Sequence, residues 1–159
     1  MLNEFPAPVK ILDLGGTQVF WEMMGLTSAS IVNITIINTE NINTTLPNFK
    51  FIHSDAVNLS MFSDKEFDIV FSDSVIEHVG SYDKQKLMTD EIKRVGKRYF
   101  VQTPNYYFPF EPHFMFPLFQ FLPKAVKIKM LMWFNMGWFK KCKSKDEALE
   151  LLNYVRLLK

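Results

Sequence analysis

The sequence predicts an α/β fold built on a mostly parallel sheet with helical crossovers. Three observations carry that expectation. Short apolar or β-branched runs recur five times within the first hundred or so residues: "VKILDL", "SIVNITIIN", "NFKFIHSDA", "FDIVF" and "KRYFVQT". Helix-like segments lie between the first and second runs and between the fourth and fifth, and strands alternating with helices pair in parallel with right-handed crossovers. The chain of 159 residues is 48 % hydrophobic and 15 % aromatic, enough for one domain with a proper core.

Each element has a local reason. Val9–Leu14 is an apolar run between Pro8 and Gly15, which reads as a buried strand. Thr17–Met24 is a short helix ended by Gly25. The second strand ends near Asn38, the third follows Pro47 with Asp55 just past its end, and the fourth runs from Phe67 to Phe71. A helix from Tyr82 to Val95 stops at Gly96, and the fifth strand follows. After "TPN" the character changes: "YYFPFEPHFMFPLFQFLP" has four prolines among its rings and suits an irregular cap. "KAVKIKMLMWFNMGWFKK" alternates lysine with apolar residues as a strand would, yet Pro123 before good helix formers favours a helix. Ser144 then caps a last helix, "SKDEALELLNYVRLL", with acids in its first turn and Arg156 near its end. The expected organisation is a core over 1–105, an aromatic, lysine-rich cap over 106–143 and a C-terminal helix over 144–159, in a single domain.

Charge is unevenly placed. Residues 1–112 hold fourteen acids and nine bases, whereas residues 113–145 hold seven lysines and no acid. A lysine face that is simply solvated explains this, and so does a surface for an anionic partner or membrane. A lone cysteine, Cys142, allows no internal disulfide and suits a reducing compartment. The N-terminal "MLNEFPAPVK" lacks the regions of a signal peptide, so a cytoplasmic location is expected.

In an open parallel sheet, ligands bind outside the carboxyl ends of the strands, where the strand order reverses. Polar residues collect at four such ends: Asp13 to Thr17, Asn38 to Glu40, Asp55-Ala56, and Ser72 to Ser74. Polar residues gather in turns anyway, but four successive ends form a pattern. Glycines let a backbone approach a ligand, Asn38 or Glu40 could bond ribose hydroxyls, and Asp55 could accept from an exocyclic amine. A dinucleotide loop wants G-x-G-x-x-G to seat its pyrophosphate. Gly15 and Gly16 are adjacent, with no third glycine until Gly25, which disfavours NAD.

"ILDLGG", "HSDAVNLS", "FDIVFSDSVIEHV" and "EIKRVGKRYFVQTPN", in that order over residues 9–113, resemble the class I S-adenosylmethionine-dependent methyltransferases of small-molecule type. The resemblance implies a Rossmann-like, doubly wound sheet of order 3-2-1-4-5 and S-adenosylmethionine as cofactor. It implies Asp13 and Gly15 at the methionine end, Gly16 and Thr17 also against the cofactor, Asn38 on the ribose, Asp55 on the adenine amine beside Ala56, and Ser72 near the sulfonium. Thr17 and Val19 stand where the family's second and third glycines usually lie, and Asn38 stands where an acid usually binds the ribose. The family sheet has seven strands, of which five are readable here, so strand five is expected to be an open edge suited to self-association.

Methyl transfer from a sulfonium is an in-line displacement that needs alignment and desolvation. A base for the acceptor could be His113 or His78, with Glu77, Asp73 and Glu111 as further candidates. His113 is favoured because "FEPHF" lies on the cap. Glu77, His78 and His113 also form a conceivable carboxylate–imidazole metal set, but no ligand-spacing signature supports it and no metal is expected. The expected partner is a small, partly apolar methyl acceptor, with no nucleic acid. The rival reading is a catalytically idle methyltransferase fold acting as a binding or scaffolding module. The segment 106–143 is read as an apolar lid whose lysine side either faces water or touches a membrane.

Overall fold

Strands β1 (Val9–Leu14), β2 (Val32–Asn38), β3 (Phe49–His53), β4 (Phe67–Asp73) and β5 (Gly96–Gln102) form one parallel sheet in the order β3-β2-β1-β4-β5. This is a computed structural model, and it describes residues 2–158. The chain forms two compact units, Met1–Gln102 and Thr103–Lys159.

In the first unit, β1 is the central strand, and only Lys10 on it is exposed. Ile11, Leu12 and Leu14 are fully buried, with Ile34, Ile36 and Ile37 of β2 beside them. Burying each such side chain contributes roughly 1.5–3 kcal/mol. The near-continuous apolar runs follow from a sheet covered on both faces. Only two crossovers are helical: α1 (Gln18–Met23) leads to β2, and α2 (Tyr82–Val95) leads to β5. The fourth strand extends two residues past its expected end, through Ser72 and Asp73, which pair with Val101 and Gln102 of β5.

Helix α2 starts where Ser81 accepts a hydrogen bond from the Lys84 N–H at 3.3 Å. Its buried side chains, Gln85, Met88, Ile92 and Val95, recur at three- and four-residue spacing and cover one face of the sheet. The chain leaves the helix at Gly96 in extended backbone, and that position has room only for glycine. A Cβ there would come within 2.6 Å of Val70 Cγ2 and within 3.1 Å of the Ile92 carbonyl.

The β3–β4 connection, which has no helix, is held by Arg94. Its guanidinium is bidentate on Glu91, at 2.7 and 2.8 Å, and donates to the carbonyls of Leu59 and Phe62 and to Asp64. Glu91 in turn accepts from the Leu59 N–H at 3.0 Å. The bonds from Arg94 hold the Glu91 carboxyl below its ordinary range against the opposing effect of burial. Arg94→Ala should therefore lower the melting temperature by several degrees and open the 59–66 segment to proteolysis. Arg94→Lys should recover little, because an ammonium cannot reproduce the planar fork. A melt and digestion pattern like wild type would show the clamp to be dispensable.

The second unit has its own core of Phe114, Phe119, Ile128, Leu131, Met136, Cys142 and Ala148. Where an irregular cap was expected, the chain makes a small antiparallel pair, β6 (Phe110–Glu111) with β7 (Phe116–Pro117). Helix α3 (Lys124–Trp133) follows Pro123, as its sequence suggests. Helix α4 (Lys145–Tyr154) begins at Ser144, whose side chain accepts from Glu147 N–H. It stops four residues before the expected end, leaving Arg156 outside. The reason is a competing pairing: Leu158 bridges to Asn105 in parallel, and its carbonyl accepts from the Tyr106 N–H at 3.2 Å. Among the described residues no helix is long and apolar enough to cross a membrane.

Candidate functional site

The chain passes from β1 outward to β2 and β3, then returns to β4 on the other side of β1. The strand order therefore reverses between β1 and β4, the position at which open parallel sheets bind their ligands. Leu14 and Ser72 are register partners at that point, as are Asp13 and Phe71.

The turn after β1 is built around Asp13, which is 1 % exposed. Its Oδ2 accepts from the Trp21 indole N–H at 2.7 Å, while its Oδ1 is buried without a hydrogen-bond partner among the described residues. Burial pushes the carboxyl up, the Trp21 bond partly opposes this, and the nearby Asp73 charge adds to it, leaving a pKa of about 7. The two glycines serve this turn in different ways. Gly15 has φ +78°, and a Cβ on it would approach Val75 Cγ2 within 2.4 Å. Gly16 is glycine for space, since a Cβ there would fall 1.8 Å from Asp13 Oδ2.

Thr17 takes the N-cap position of α1 with φ −139° and ψ 154°, ordinary extended backbone. A residue with a side chain fits there without strain. Val19 is on the exposed side of the same helix. Gln18 and Trp21 face inward at three-residue spacing. Gln18 ties α1 to the loop between β2 and β3: its Oε1 accepts from the Thr45 N–H at 2.8 Å, and its Nε2 donates to Thr45 Oγ1 and Glu22.

Asn38, at the end of β2, turns its amide toward the glycine turn. Its Nδ2 donates to the Gly15 and Gly16 carbonyls at 3.1 and 3.3 Å, and its Oδ1 accepts from the Glu40 N–H at 2.9 Å. A carboxylate has no hydrogen to donate, so only an amide can make this strap. Asp55, past β3, is exposed, and its Oδ1 accepts from the Val57 N–H at 3.1 Å; Ala56 beside it is buried. Ser72 at the end of β4 is fully buried, with its hydroxyl unpartnered among the described residues. Asp73 accepts from the Ser74 hydroxyl at 3.0 Å, and Ser74 itself has φ +56°, an unusual value for serine.

Glu77 and His78 lie on a 3₁₀ turn, Ile76–His78, directly after β4. His113 belongs to the second unit, where Glu111 Oε1 meets its Nδ1 at 2.8 Å and Glu111 Oε2 accepts from the Phe114 N–H at 2.7 Å. Sequence reasoning missed Trp21, Gln18 and the strap function of Asn38. For the first two a signal existed: a tryptophan and a glutamine three apart on a short helix mark one inward face.

A methyltransferase-domain family profile matches residues 13–99, more than half of the chain and the whole span from Asp13 into β5. The chain belongs to the class I S-adenosylmethionine-dependent methyltransferase family. Two Mycobacterium tuberculosis proteins, Rv1509 and MT1557, are each 42 % identical to this chain over 57 residues, 36 % of its length. That match spans only 20 % of their length. Among solved structures, a protein assigned to an antibiotic biosynthesis pathway of Anabaena variabilis as a methyltransferase superposes with a TM-score of 0.55 at 18 % identity. The superposition covers 81 % of this chain and 55 % of that one. An S-adenosylmethionine-dependent methyltransferase assignment from Listeria monocytogenes gives 0.48 at 14 % identity, covering 64 % and 50 %. At 18 % identity the likeness to the Anabaena variabilis protein is one of fold.

Proposed function

We propose that this methyltransferase binds S-adenosylmethionine across the carboxyl ends of β1 to β4 and passes its methyl group to a small, partly apolar acceptor. The observation that carries this reading is a pair of buried polar atoms with no partner among the described residues, Asp13 Oδ1 and Ser72 Oγ, at the ends of neighbouring strands. Such groups are costly unless a ligand or water satisfies them. The methionine end of the cofactor carries an ammonium, which suits a carboxyl that has no cation of its own. Asp55, exposed beside a buried alanine, suits an exocyclic amine, and Glu40 is the free carboxylate nearest in sequence to the ribose position.

When bound, the cofactor supplies an electrophilic methyl on sulfur. The chain's own residues hold it, align it and exclude water. For an oxygen or nitrogen acceptor, His78, on the turn directly after β4, is the imidazole of the first unit that would take a proton at this end of the sheet. His78→Ala should lower kcat far more than cofactor affinity.

Binding is tested directly by calorimetry or thermal shift with S-adenosylhomocysteine, since a ligand specific for the native state raises the melting temperature by mass action. Asp55→Ala should weaken that binding about ten- to a hundredfold, the loss of a charge-assisted hydrogen bond of roughly 1.5–3 kcal/mol. The variant should keep the wild-type melt without ligand. Unchanged affinity would remove Asp55 from the site. The second reading, an idle fold used for binding or scaffolding, is favoured by Asn38, whose amide hydrogens are already engaged with the turn. No shift at millimolar S-adenosylhomocysteine would select it.

A further inference from the structure

The second unit leaves exposed most of the apolar rings that its sequence would lead one to bury. Helix α3 shows why. Ile128 and Leu131 point into the core, so the opposite face carries positions 126, 129 and 133. On a helix that faces water those positions should be polar. Here they are Val126, Lys129 and Trp133, and Trp133 is 69 % exposed. Two of the three outer positions are thus apolar, with a lysine between them.

The turn after it continues the pattern. Phe134 is exposed and Trp138 is 80 % exposed. This turn is fastened on several sides. The Trp138 N–H donates to the His113 carbonyl at 3.2 Å, Met136 and Phe139 exchange backbone hydrogen bonds at 2.9 Å, and the Cys142 N–H donates to the Leu131 carbonyl at 2.8 Å. Gly137 is pressed so close to the same backbone that a Cβ would lie 2.2 Å from the His113 carbonyl oxygen. The rings are therefore held outward by ordered backbone. Lys140, Lys141 and Lys143 follow immediately, all exposed; no acid occurs between 113 and 145, and Glu147 just beyond accepts from the Lys143 N–H at 2.6 Å.

We propose that the outer face of α3 and the turn after it form a docking surface for an anionic lipid bilayer. Tryptophan rings settle at the boundary between headgroups and acyl chains, and lysine stems lie along it with their ammonium groups in the headgroup layer. Charge selects this occupant: of the three lysines that edge the rings, only Lys143 has a carboxylate beside it, Glu147 on its backbone N–H at 2.6 Å, and Lys140 and Lys141 are left to match phosphatidylserine-type headgroups. The inference stands apart from the proposed chemistry and survives or fails separately from it.

The test is co-flotation with vesicles of phosphatidylcholine containing about a third phosphatidylserine, against pure phosphatidylcholine, with tryptophan emission recorded alongside. Trp21 is buried and bonded to Asp13, so a change on binding reports Trp133 and Trp138. Binding to the anionic vesicles at low salt, with a blue shift, is expected, and it should fade as salt screens the headgroups. Lys140→Gln/Lys141→Gln/Lys143→Gln should weaken it on the order of a hundredfold, about fivefold per lysine. Trp133→Ala/Trp138→Ala should weaken flotation with the anionic vesicles without altering the melt. Failure of wild type to float at low salt overturns the proposal. So does equal binding to neutral vesicles, or burial of both tryptophans by lipid-free self-association.

Discussion

Raising the pH from about 4 to about 7 should lower the folding stability of the ligand-free protein, by up to roughly 4 kcal/mol, because the Asp13 carboxyl titrates at about 7 in the folded chain. The native state keeps a proton through that window which the unfolded chain has already lost. Native proton binding exceeds unfolded, so stability falls as pH rises, and it levels off above about 7. Asp68 acts with the opposite sign. Burial raises its pKa, but the Lys97 ammonium at 2.7 Å and the Lys10 N–H at 2.9 Å outweigh that, and its carboxyl lies below the ordinary range. Its contribution is present above the usual carboxylate pKa and is lost as pH falls through the lowered one. The two together put the stability maximum of the free protein on the acid side of neutral. Asp13→Asn should remove the slope and be the more stable chain at pH 8, since an amide oxygen still accepts from Trp21. Binding of S-adenosylhomocysteine should tighten with rising pH up to about 7, as its ammonium favours the ionised carboxyl, and the Asn variant should bind weakly with no such trend. Melts that stay flat or rise between pH 5 and 7 would show that Asp13 is ionised there.

Gly16→Ala should be the most damaging single methyl in the first unit, costing roughly 2–5 kcal/mol from overpacking together with the loss of the Asp13–Trp21 bond. The added Cβ would coincide with Asp13 Oδ2, which sits 1.8 Å from that position. Asp13 is buried and has nowhere to retreat without releasing Trp21. Gly25→Ala is the control. Nothing lies within 4 Å of its Cβ, so only the positive φ of +72° is strained, worth about 1–2 kcal/mol. The double variant Asp13→Ala/Gly16→Ala should melt well above the sum of its parts, because the collision needs both groups. Additive melts would place the fault elsewhere. Gly15→Val is a poor probe of cofactor approach. Its own φ and the Val75 contact damage the turn whether or not a ligand passes near.

Some of this protein is determined by residues that are neighbours in the chain. The runs of β1 and α2 coincide with their expected limits because apolar period, Ser81 at the cap and Gly96 at the end act within a few residues of one another. The cap at Ser144 is equally local. The order and spacing of the strand-end motifs were enough to place the chain in its family. Other features exist only once the sheet has formed. Asn38 can strap the glycine turn only because β2 lies beside β1, twenty-odd residues away in sequence. Arg94 can replace a missing helix only because α2 folds back over the loop before β4. The early end of α4 depends on Leu158 finding Asn105, a pairing that outweighs its helical tendency. Asp13 reads as one more polar residue in a turn, and its raised pKa arises from the apolar strands and the single indole around it. Local sequence sets backbone preference and hydrophobic period, whereas desolvation and long-range hydrogen bonds depend on which strands become neighbours, and that is decided by the tertiary structure.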